Sequence, residues 1–260
     1  MIKLIASDLD GTLLQNGAQR PSPKIFDLIL RLKEKGIHFA AASGRQLYSQ
    51  HQLFAPVKND ISYIAENGSL CVCRGQVIAK GIIERDLGLR IIQASGEFEG
   101  SHTLLSCESH CYTDSTSETF ICHLRDELLN DIVYCPDLSS IQEPFLKLAA
   151  CDFHGTDNLL PYFKKRFGNQ IEVVTSGNLW VDFIAPGANK GTALKALAEH
   201  LGIAPEECIA FGDQYNDIEM LEYAGIGYAM KNAAPGVKKH ADAVTNSVEK
   251  VLTALLQNAN

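Results

Sequence analysis

The sequence lacks the features of a membrane-spanning or exported protein. Its 260 residues contain no apolar run that approaches the ~18 to 20 residues a membrane helix requires. Charged Lys3, Asp8 and Asp10 interrupt the N-terminal segment before the apolar core of a signal peptide could form. We therefore expect a cytoplasmic protein that has no membrane partner.

A disulfide or zinc framework is also missing. None of the eight cysteines forms a CxxC pair, and the five from Cys107 to Cys151 are scattered near His110, His123 and His154. This spacing fits no standard zinc-ligand template, so a zinc site is the less favoured alternative. We predict reduced thiols.

Positive charge is in deficit. The chain has 31 acidic and 23 basic residues, and its net charge at pH 7 is −8. A nucleic-acid partner requires a basic face for the phosphate backbone, so this composition argues against one. Any anionic ligand must instead be held by a local site. The 46% hydrophobic content is typical of a globular protein with one large or two smaller domains.

Short apolar runs alternate with helical patterns at both ends of the chain, which is typical of a parallel sheet with crossover helices. The predicted strands of these two parts cover residues 2–7, 37–43, 62–65, 208–212, 225–230 and 241–245. The first predicted helix has Ser22 as its N-cap, Pro23 in its first turn and Gly36 at its end. Another begins near Lys190 and stops at Gly202. Both ends therefore predict an α/β fold.

The middle of the chain has a looser order. Its predicted helices cover residues 87–94 and 161–167, and its predicted strands cover 102–106, 109–113, 171–175 and 179–184. The last two strands, joined by a turn at 176–178 that contains Gly177, predict an antiparallel hairpin. We predict a discontinuous α/β core of residues 1–82 and 186–260, with an inserted α+β domain of residues 83–185.

The first predicted strand ends in Asp8, Leu9, Asp10 and Gly11. Two carboxylates two residues apart on an extended segment point to the same side, here at the carboxyl end of a parallel strand. Because they repel each other, a bound cation such as Mg²⁺ would stabilise the pair. The alternative is an Asp-rich turn that pivots on Gly11.

The second predicted strand ends in Ser43, Gly44 and Arg45, which open a helix. A hydroxyl, a flexible glycine and free N-terminal amides together can form an anion site. The alternative is that Ser43 serves only as an N-cap.

Lys190 begins a predicted helix, where the macrodipole disfavours a cation. Its place there indicates that something anionic offsets its charge, and the alternative is a solvated lysine. Farther along, Asp213 follows a buried strand and can reach a metal, while Asn216 and Asp217 lie at the start of the next helix. The alternatives are that Asn216 is an N-cap and that Asp217 complements the helix dipole.

Taken together, these segments lie at the carboxyl ends of successive strands. They describe a site in which acids hold Mg²⁺, a hydroxyl, an amide and a lysine hold phosphate, and one carboxylate is left to attack. This is the chemistry of metal-assisted phosphoryl transfer.

The same motifs resemble those of a known family. DLDGTL at 8–13, SGR at 43–45, NKGTAL at 189–194 and GDQYND at 212–217 resemble the four ordered motifs of the haloacid dehalogenase superfamily phosphatases. ENG at 66–68 and the inserted segment make the chain similar to the Cof-like subfamily. The resemblance implies a Rossmann-like parallel sheet core and an inserted α+β cap that closes over the site.

The resemblance also implies roles for the acids. Asp8 would attack phosphorus and form an aspartyl-phosphate. Asp10 would protonate the leaving oxygen and then activate water. Mg²⁺ would bind the Asp8 carboxylate, the main-chain carbonyl of Asp10 and Asp213, with waters completing the octahedron.

Phosphate binding is implied for a second group of residues. Ser43, Gly44 and Lys190 would hold phosphoryl oxygens. Asn216 would contact the phosphate or order its loop, and Asp217 would support Lys190 or the metal shell.

Further residues lie beside the motifs. Arg45 and Asn67 are supporting candidates because the family pattern sets their position better than their role. Trp180 and Asp182 share one face of the last cap strand, where they either contact substrate or only pack the cap.

These residues predict a Mg²⁺-dependent phosphatase of small phosphorylated metabolites, such as sugar phosphates or cofactors like pyridoxal 5′-phosphate or flavin mononucleotide. One alternative is a phosphomutase of the phosphomannomutase type, which would pass the phosphate to a second sugar hydroxyl. Another is a non-catalytic phospholigand-binding protein, which the presence of Asp8, Asp10, Lys190 and Asp213 disfavours. We expect a monomer or a weak homo-oligomer.

Overall fold

The computed structural model describes residues 1–176 and 178–258 and arranges them in two β-sheets surrounded by helices. In chain order, the strands are β1 (Leu4–Asp8), β2 (His38–Ala42), β3 (Ser62–Ala65), β4 (Leu70–Cys73), β5 (Gln76–Lys80), β6 (His102–Ser106), β7 (Cys111–Thr113), β8 (Ile132–Tyr134), β9 (Lys147–Cys151), β10 (Glu172–Ser176), β11 (Trp180–Ile184), β12 (Cys208–Gly212), β13 (Ile226–Met230) and β14 (Ala243–Thr245). The helices are α1 (Pro23–Glu34), α2 (Leu47–Leu53), α3 (Arg85–Gly96), α4 (Glu118–Cys122), α5 (Leu159–Phe167), α6 (Lys190–Leu201), α7 (Ile218–Tyr223) and α8 (Val248–Asn258).

The larger sheet is built from both ends of the chain, in the order β14-β13-β12-β1-β2-β3-β4-β5. Neighbouring strands are parallel from β14 to β3, which confirms the predicted α/β core. Strands β4 and β5 extend the sheet as an antiparallel hairpin that the sequence pattern does not predict. Its two turn residues, Arg74 and Gly75, both have positive φ, and arginine is not one of the residues that usually signal such a turn.

Both faces of the larger sheet are covered, as a parallel sheet requires. On β1, Ile5 faces a cluster that includes residues of α1 and α8, while Leu4 and Ala6 face a second cluster with α6 and α7. The alternation follows from the two-residue period of a strand. These layers bury β1 inside the sheet.

Strand register brings the predicted motifs to one edge of the larger sheet. Asp8 pairs with Ala42, so Ser43 follows immediately beside it. On the other side Ser7 pairs with Phe211, which sets Gly212 beside Asp8. The carboxyl ends of β1, β2 and β12 therefore meet, as parallel pairing predicts.

Two helices begin as their sequences predict. Ser22 caps α1 by accepting a hydrogen bond from the Ile25 amide at 3.3 Å. At α6 the side chains of Asn189 and Thr192 each accept from the other's amide, a capping box that makes Lys190 the first helical residue. Gly202, with φ of 67°, ends this helix.

The smaller sheet comes from the middle of the chain and has the order β10-β11-β9-β6-β7-β8. Its pairs are antiparallel except for β7 with β8. The predicted hairpin is confirmed as β10 and β11, and the predicted turn residue Gly177 lies outside the described residues. Helices α3 and α5 cover one face of this sheet.

The sequence pattern does not predict β9, although it lies inside the smaller sheet and is completely buried. Its sequence, KLAAC, begins with a charge and contains two alanines, which have low strand propensity. Pairing with β6 and β11 on both sides overrides that preference.

Two global expectations can be compared with the structure. None of the helices formed by residues 1–176 and 178–258 is long and apolar enough to cross a bilayer. All eight cysteines lie within the described part of the chain and are free there, and their reduced state stays a prediction.

Candidate active site

A cleft of about 840 Å³ lies between the two sheets. From the larger sheet and its loops it is lined by Asp8, Asp10, Ser43, Gly44, Arg45, Glu66, Asn67, Asn189 and Asn216. From the smaller sheet and its loops it is lined by Leu104, Leu128, Lys147, Ala149, Val174, Trp180 and Asp182. Most of the predicted site residues, which come from distant parts of the chain, therefore meet around one cavity. The others, Lys190, Asp213 and Asp217, are buried next to Asp8.

Lys190 is buried beside the cleft, with an exposed fraction of 1%. Its ammonium group donates to Asp8 Oδ1 and to Asp217 Oδ1, each at 2.6 Å. The expectation that anions offset this cation at a helix N-terminus is therefore correct, and the solvated-lysine alternative is wrong. Burial alone would lower the pKa of Lys190, but Asp217 and Asp8 outweigh it and raise that pKa above its usual value.

Three buried acids form a group that could hold a cation. Carboxylate oxygens of Asp8, Asp213 and Asp217 all lie within 4.8 Å of one another. Among residues 1–176 and 178–258, Oδ2 of Asp8 is a buried oxygen with no hydrogen-bond partner. A set of hard oxygen donors with one open acceptor fits Mg²⁺. The carboxylate of Asp10 is outside this group, and its predicted metal contact is through the main-chain carbonyl.

The electrostatics of these acids indicate the same need for positive charge. Burial raises the pKa of Asp8 well above its usual value, the charges of Asp217 and Asp213 raise it further, and Lys190 opposes them. Burial likewise raises the pKa of Asp213, partly offset by a hydrogen bond from Thr12. A bound divalent cation would stabilise the ionised forms of both.

Asp213 is held in place by Thr12 and Gln214, for which the sequence motifs predict no role. Thr12 Oγ1 donates to Asp213 Oδ1 at 2.7 Å, and Gln214 Nε2 donates to Oδ2 at 3.2 Å. Gly11 has φ of 92°, and a Cβ there would stand 2.4 Å from Asp213 Oδ2. The turn after β1 therefore requires glycine so that this carboxylate can approach the backbone.

Asp217 orders its own loop as well as contacting Lys190. Its Oδ2 atom accepts from the main-chain amides of Asp213 and Gln214, both at 2.9 Å. A Cβ on Gly212 would lie 2.4 Å from the Cβ of Asp217. The side chain is fully buried, so it does more than complement a helix dipole.

Asp10 lies at the cleft with its carboxylate half-exposed and paired with Arg45. Arg45 Nε and Nη2 donate to its two oxygens at 2.8 and 2.7 Å, a bidentate pair. The two carboxylates of the motif therefore each have their own cation, Lys190 for Asp8 and Arg45 for Asp10. Within the described part of the chain, Arg45 Nη1 is buried and has no hydrogen-bond partner.

Ser43 and Gly44 line the cleft directly after β2. The Ser43 hydroxyl accepts from the Arg45 amide at 3.2 Å, whereas the residue that precedes α2 is Gln46, so Ser43 is not the N-cap of that helix. A Cβ on Gly44 would stand 2.9 Å from Asn67 Oδ1, which explains glycine at this position.

Asn216 and Asn67 are joined directly. Asn216 Nδ2 donates to Asn67 Oδ1 at 2.9 Å, and Asn67 Nδ2 donates to Asp182 Oδ2 at 2.9 Å. Asn216 is therefore not a simple N-cap, and α7 begins after Asp217 instead. Asp182 is buried and takes part in this polar chain in addition to any packing role.

Lys147 lies at the start of β9 and is buried at the cleft, a position that no sequence motif predicts. Its Nζ atom lies 2.7 Å from Gly44 O, 2.7 Å from Glu66 Oε2 and 3.9 Å from Asp182 Oδ2. Burial would lower the pKa of Lys147, but Asp182 and Glu66 outweigh it and raise that pKa. The available signal was a lysine inside an otherwise apolar run, since such residues are rarely buried without partners.

Comparison with known proteins identifies the family. A model of the haloacid dehalogenase-like hydrolases matches residues 5–255. The 5-amino-6-(5-phospho-D-ribitylamino)uracil phosphatase YbjI of Escherichia coli is 30% identical over 98% of this chain and 95% of its own length. The HMP-PP phosphatase of Cronobacter sakazakii is 28% identical over 90% of this chain and 86% of its own.

Solved structures agree with this assignment. A phosphatase of the haloalkanoate (HAD) superfamily from Bacteroides thetaiotaomicron is 26% identical, with a TM-score of 0.79 over 100% of this chain and 96% of its own. A Thermotoga maritima protein is 28% identical, with a TM-score of 0.83 over 98% of this chain and 97% of its own. The resemblance seen in the motifs is confirmed. This chain belongs to the haloacid dehalogenase-like hydrolases and is a phosphatase of that superfamily.

Proposed function

We propose that this protein is a Mg²⁺-dependent phosphatase that hydrolyses phosphate monoesters of small metabolites through an aspartyl-phosphate on Asp8. The observation that carries the proposal is the environment of this carboxylate. Asp8 lines the cleft and lies beside Asp213 and Asp217. One of its oxygens accepts from Lys190, and the other, Oδ2, is buried without a hydrogen-bond partner. A carboxylate held in this way is suited to attack phosphorus.

The acids also supply the ligands for the metal. Asp8, Asp213 and the main-chain carbonyl of Asp10 would hold Mg²⁺, with Asp217 close enough to support the shell. Bound Mg²⁺ supplies positive charge that offsets the repulsion between the acids and the anionic phosphoryl group.

In the first half of the reaction, a carboxylate oxygen of Asp8 bonds to phosphorus while the bond from phosphorus to the leaving oxygen breaks. Asp10, protonated at this stage, gives its proton to the leaving oxygen, so the product departs as an alcohol. Arg45 orients the Asp10 carboxyl group through its bidentate contact. Ser43 Oγ would hold one phosphoryl oxygen.

In the second half, a water molecule gives a proton to Asp10 and bonds to phosphorus. The bond from phosphorus to Asp8 breaks and inorganic phosphate leaves, with Asp10 protonated as at the start. Lys190 and the Gly44 amide would stabilise the charge on the phosphoryl oxygens in both halves.

The cleft suits a small leaving group with polar and apolar parts. Leu104 and Trp180 offer apolar surface, while Lys147 and Asp182 offer charge. By their names, the Escherichia coli relative acts on a phosphorylated ribitylaminouracil and the Cronobacter sakazakii relative on HMP-PP. We propose substrates of the same size class, such as sugar phosphates and phosphorylated cofactors.

The test is phosphate release from p-nitrophenyl phosphate and from a panel of phosphorylated metabolites, with Mg²⁺ and with a chelator. Asp8→Asn is expected to lower kcat by about 10⁴-fold or more, because it removes the nucleophile. The matched control is Asp27→Asn, an exposed acid on α1, which is expected to keep wild-type activity.

Two results would contradict the proposal. Phosphate release that persists in Asp8→Asn would exclude the aspartyl-phosphate on Asp8. Phosphate release that the chelator leaves unchanged would exclude the metal requirement. Phosphate that moves to a second sugar hydroxyl without release to water would identify a phosphomutase instead.

A further inference from the structure

The turn Glu66–Gly68 lies against two of the segments that the proposed function assigns to phosphate. The amides of its first two residues donate to the carbonyl oxygens of Arg45 and Ser43, at 3.2 and 3.0 Å. A Cβ on Gly68 would stand 2.2 Å from the carbonyl oxygen of Asn189, just before Lys190. Any movement of this turn must therefore be shared by the start of α6 and by residues 43–45, which we call the Ser43 segment.

The middle residue of the turn, Asn67, reaches two further parts of the molecule. Its Oδ1 accepts from Asn216 in the loop after β12, and its Nδ2 donates to Asp182 on β11 in the smaller sheet. Its side chain also packs over Gly44. Asn67 is 2% exposed and has φ of 57°, a conformation that asparagine tolerates better than most residues.

The amide group of Asn67 is a rigid connector between these parts. It is planar, so its donor and its acceptor cannot move independently, and both are in use. A shift of Asn216 must turn the amide and change its bond to Asp182, and the reverse also holds. Leaving either group unpaired in a buried position would cost free energy, which makes the arrangement cooperative.

A second contact joins the same two sheets nearby. Lys147 on β9 donates to the Gly44 carbonyl and pairs with Glu66, the first residue of the turn. The hydroxyl of Ser176 donates to Asp182, which orients the carboxylate that Asn67 contacts. The smaller sheet is thus bonded to the turn and to the Ser43 segment, with Asn67 as the link to Asn216.

We propose that Asn67 is a positioning residue that couples the smaller sheet to the phosphate-binding segments. The effect of phosphate binding near Gly44 and Asn216 is transmitted through the Asn67 amide to Asp182 and so to β11. By reciprocity, docking of the smaller sheet holds Asn216 in its working orientation. This inference rests on the proposed function, because it assumes that those segments bind phosphate.

The fluorescence of Trp180, the only tryptophan of the sequence, reports on changes at β11. Trp180 lies on β11, two residues from Asp182, and stacks on His123 with ring centroids 5.9 Å apart. Inorganic phosphate is titrated into the protein with Mg²⁺ present, and Trp180 emission is followed while calorimetry measures binding. We expect the wild type to bind phosphate with a change in Trp180 emission.

Asn67→Gly is the informative variant, because glycine accepts the positive φ of this position but has no amide group. We expect calorimetry to show that this variant binds phosphate, while most of the change in Trp180 emission is lost. With p-nitrophenyl phosphate we expect kcat to fall about 10-fold to 100-fold, with KM changed much less. The matched control is Asn16→Gly, an exposed asparagine with φ of 55°, which is expected to behave as the wild type.

A double variant that exchanges the side chains at positions 67 and 182 distinguishes a positioning role of Asn67 from a general loss of structure. Asn67→Asp removes the donor and sets two carboxylates against each other, so it should impair the Trp180 response and kcat. Adding Asp182→Asn restores this hydrogen bond, with the donor now at position 182 and the acceptor at position 67. The double variant keeps the net charge, and a carboxylate oxygen at position 67 can still accept from Asn216. We expect the double variant to recover most of both readouts.

The possible outcomes are distinct. Asn67→Gly that binds phosphate with a full Trp180 change, or a folded double variant that recovers neither readout, would overturn the inference. A wild type that releases phosphate from esters and binds it without any Trp180 change would overturn the inference but keep the proposed function. A wild type that neither binds phosphate nor releases it would overturn both.

Discussion

Two buried lysines on opposite sides of the cleft show how the same kind of ion pair serves different ends. Lys190 lies between Asp8 and Asp217, both carried by the larger sheet and its loops. Lys147 comes from the smaller sheet and pairs with Glu66 of the larger one. In both cases nearby acids raise the lysine pKa against the effect of burial.

The difference lies in what surrounds the acids. Around Lys190 two carboxylates, Asp8 and Asp217, share one ammonium group, and a third, Asp213, lies within 4.8 Å of them. We propose that a metal balances this excess negative charge. Around Lys147 a main-chain carbonyl, Gly44 O, is a further partner, and the contacts cross from one sheet to the other. The first region is therefore suited to binding a cation and an anionic phosphoryl group, whereas the second holds the two sheets together.

The largest effect is expected from Lys190→Met, which leaves Asp8 and Asp217 buried without their cation. We expect the free energy of unfolding to fall by about 3–5 kcal/mol in the absence of metal, with activity lost. Because Mg²⁺ can replace part of the missing charge, its addition should restore some of that stability. Urea unfolding with and without Mg²⁺ measures this.

The control for that experiment is Lys195→Met, an exposed lysine on the same helix, which should change stability by less than about 1 kcal/mol. A Lys190→Met protein as stable as this control would show that the acid cluster does not depend on the lysine.

Lys147→Met tests the other side of the comparison. It leaves Glu66 and Asp182 without their cation, so we expect a loss of about 3 kcal/mol in unfolding free energy. In contrast to Lys190→Met, the loss should be the same with and without Mg²⁺, because this region is not the predicted metal site. Equal rescue of both variants by Mg²⁺ would contradict the distinction.

Gly44→Ala is expected to have a smaller effect on stability. The added methyl group would stand 2.9 Å from Asn67 Oδ1, and the overpacking should cost about 1–2 kcal/mol. Since Gly44 contacts both Lys147 and Asn67, we also expect kcat to fall about 10-fold. Gly96→Ala on α3, where a Cβ meets nothing within 4 Å, is the control and should not lose stability.

The smallest effect concerns His51 on α2, away from both lysines. Burial and the nearby charge of Lys58 lower its pKa to about 4, so the folded protein keeps it neutral where the unfolded chain would protonate it. Its contribution to stability should therefore decrease as pH falls from about 6.5 toward 4. His51→Gln should flatten this part of the stability curve, and NMR titration of the ring gives the pKa directly. A His51 that titrates near 6.5 would contradict this.

Much of the fold follows from local sequence patterns. The helices that begin after Ser22 and Asn189 form where capping residues predict them, because a cap is a contact between residues three positions apart. Strands β3 and β12 have the bounds that their apolar runs predict. Strand β9 was missed because its stability comes from pairing on both sides, which no local pattern records.

The candidate site divides in the same way. A lysine at a helix N-terminus and acids after strands were visible as motifs, because each breaks a local preference and so indicates a partner. The pairing of Arg45 with Asp10, the support of Asp213 by Thr12, and the role of Lys147 were not visible. Each of these depends on which side chains meet across the cleft or across a turn.

The sequence by itself determined the family, the residue types for phosphoryl transfer and their order along parallel strands, since these follow from motif chemistry and strand periodicity. Only the tertiary structure decided which cation pairs with which carboxylate, and that Asn67 connects Asn216 to Asp182. The reason is physical: hydrogen bonds and ion pairs act over about 3 Å, whereas these partners are 115 and 149 residues from Asn67 along the chain.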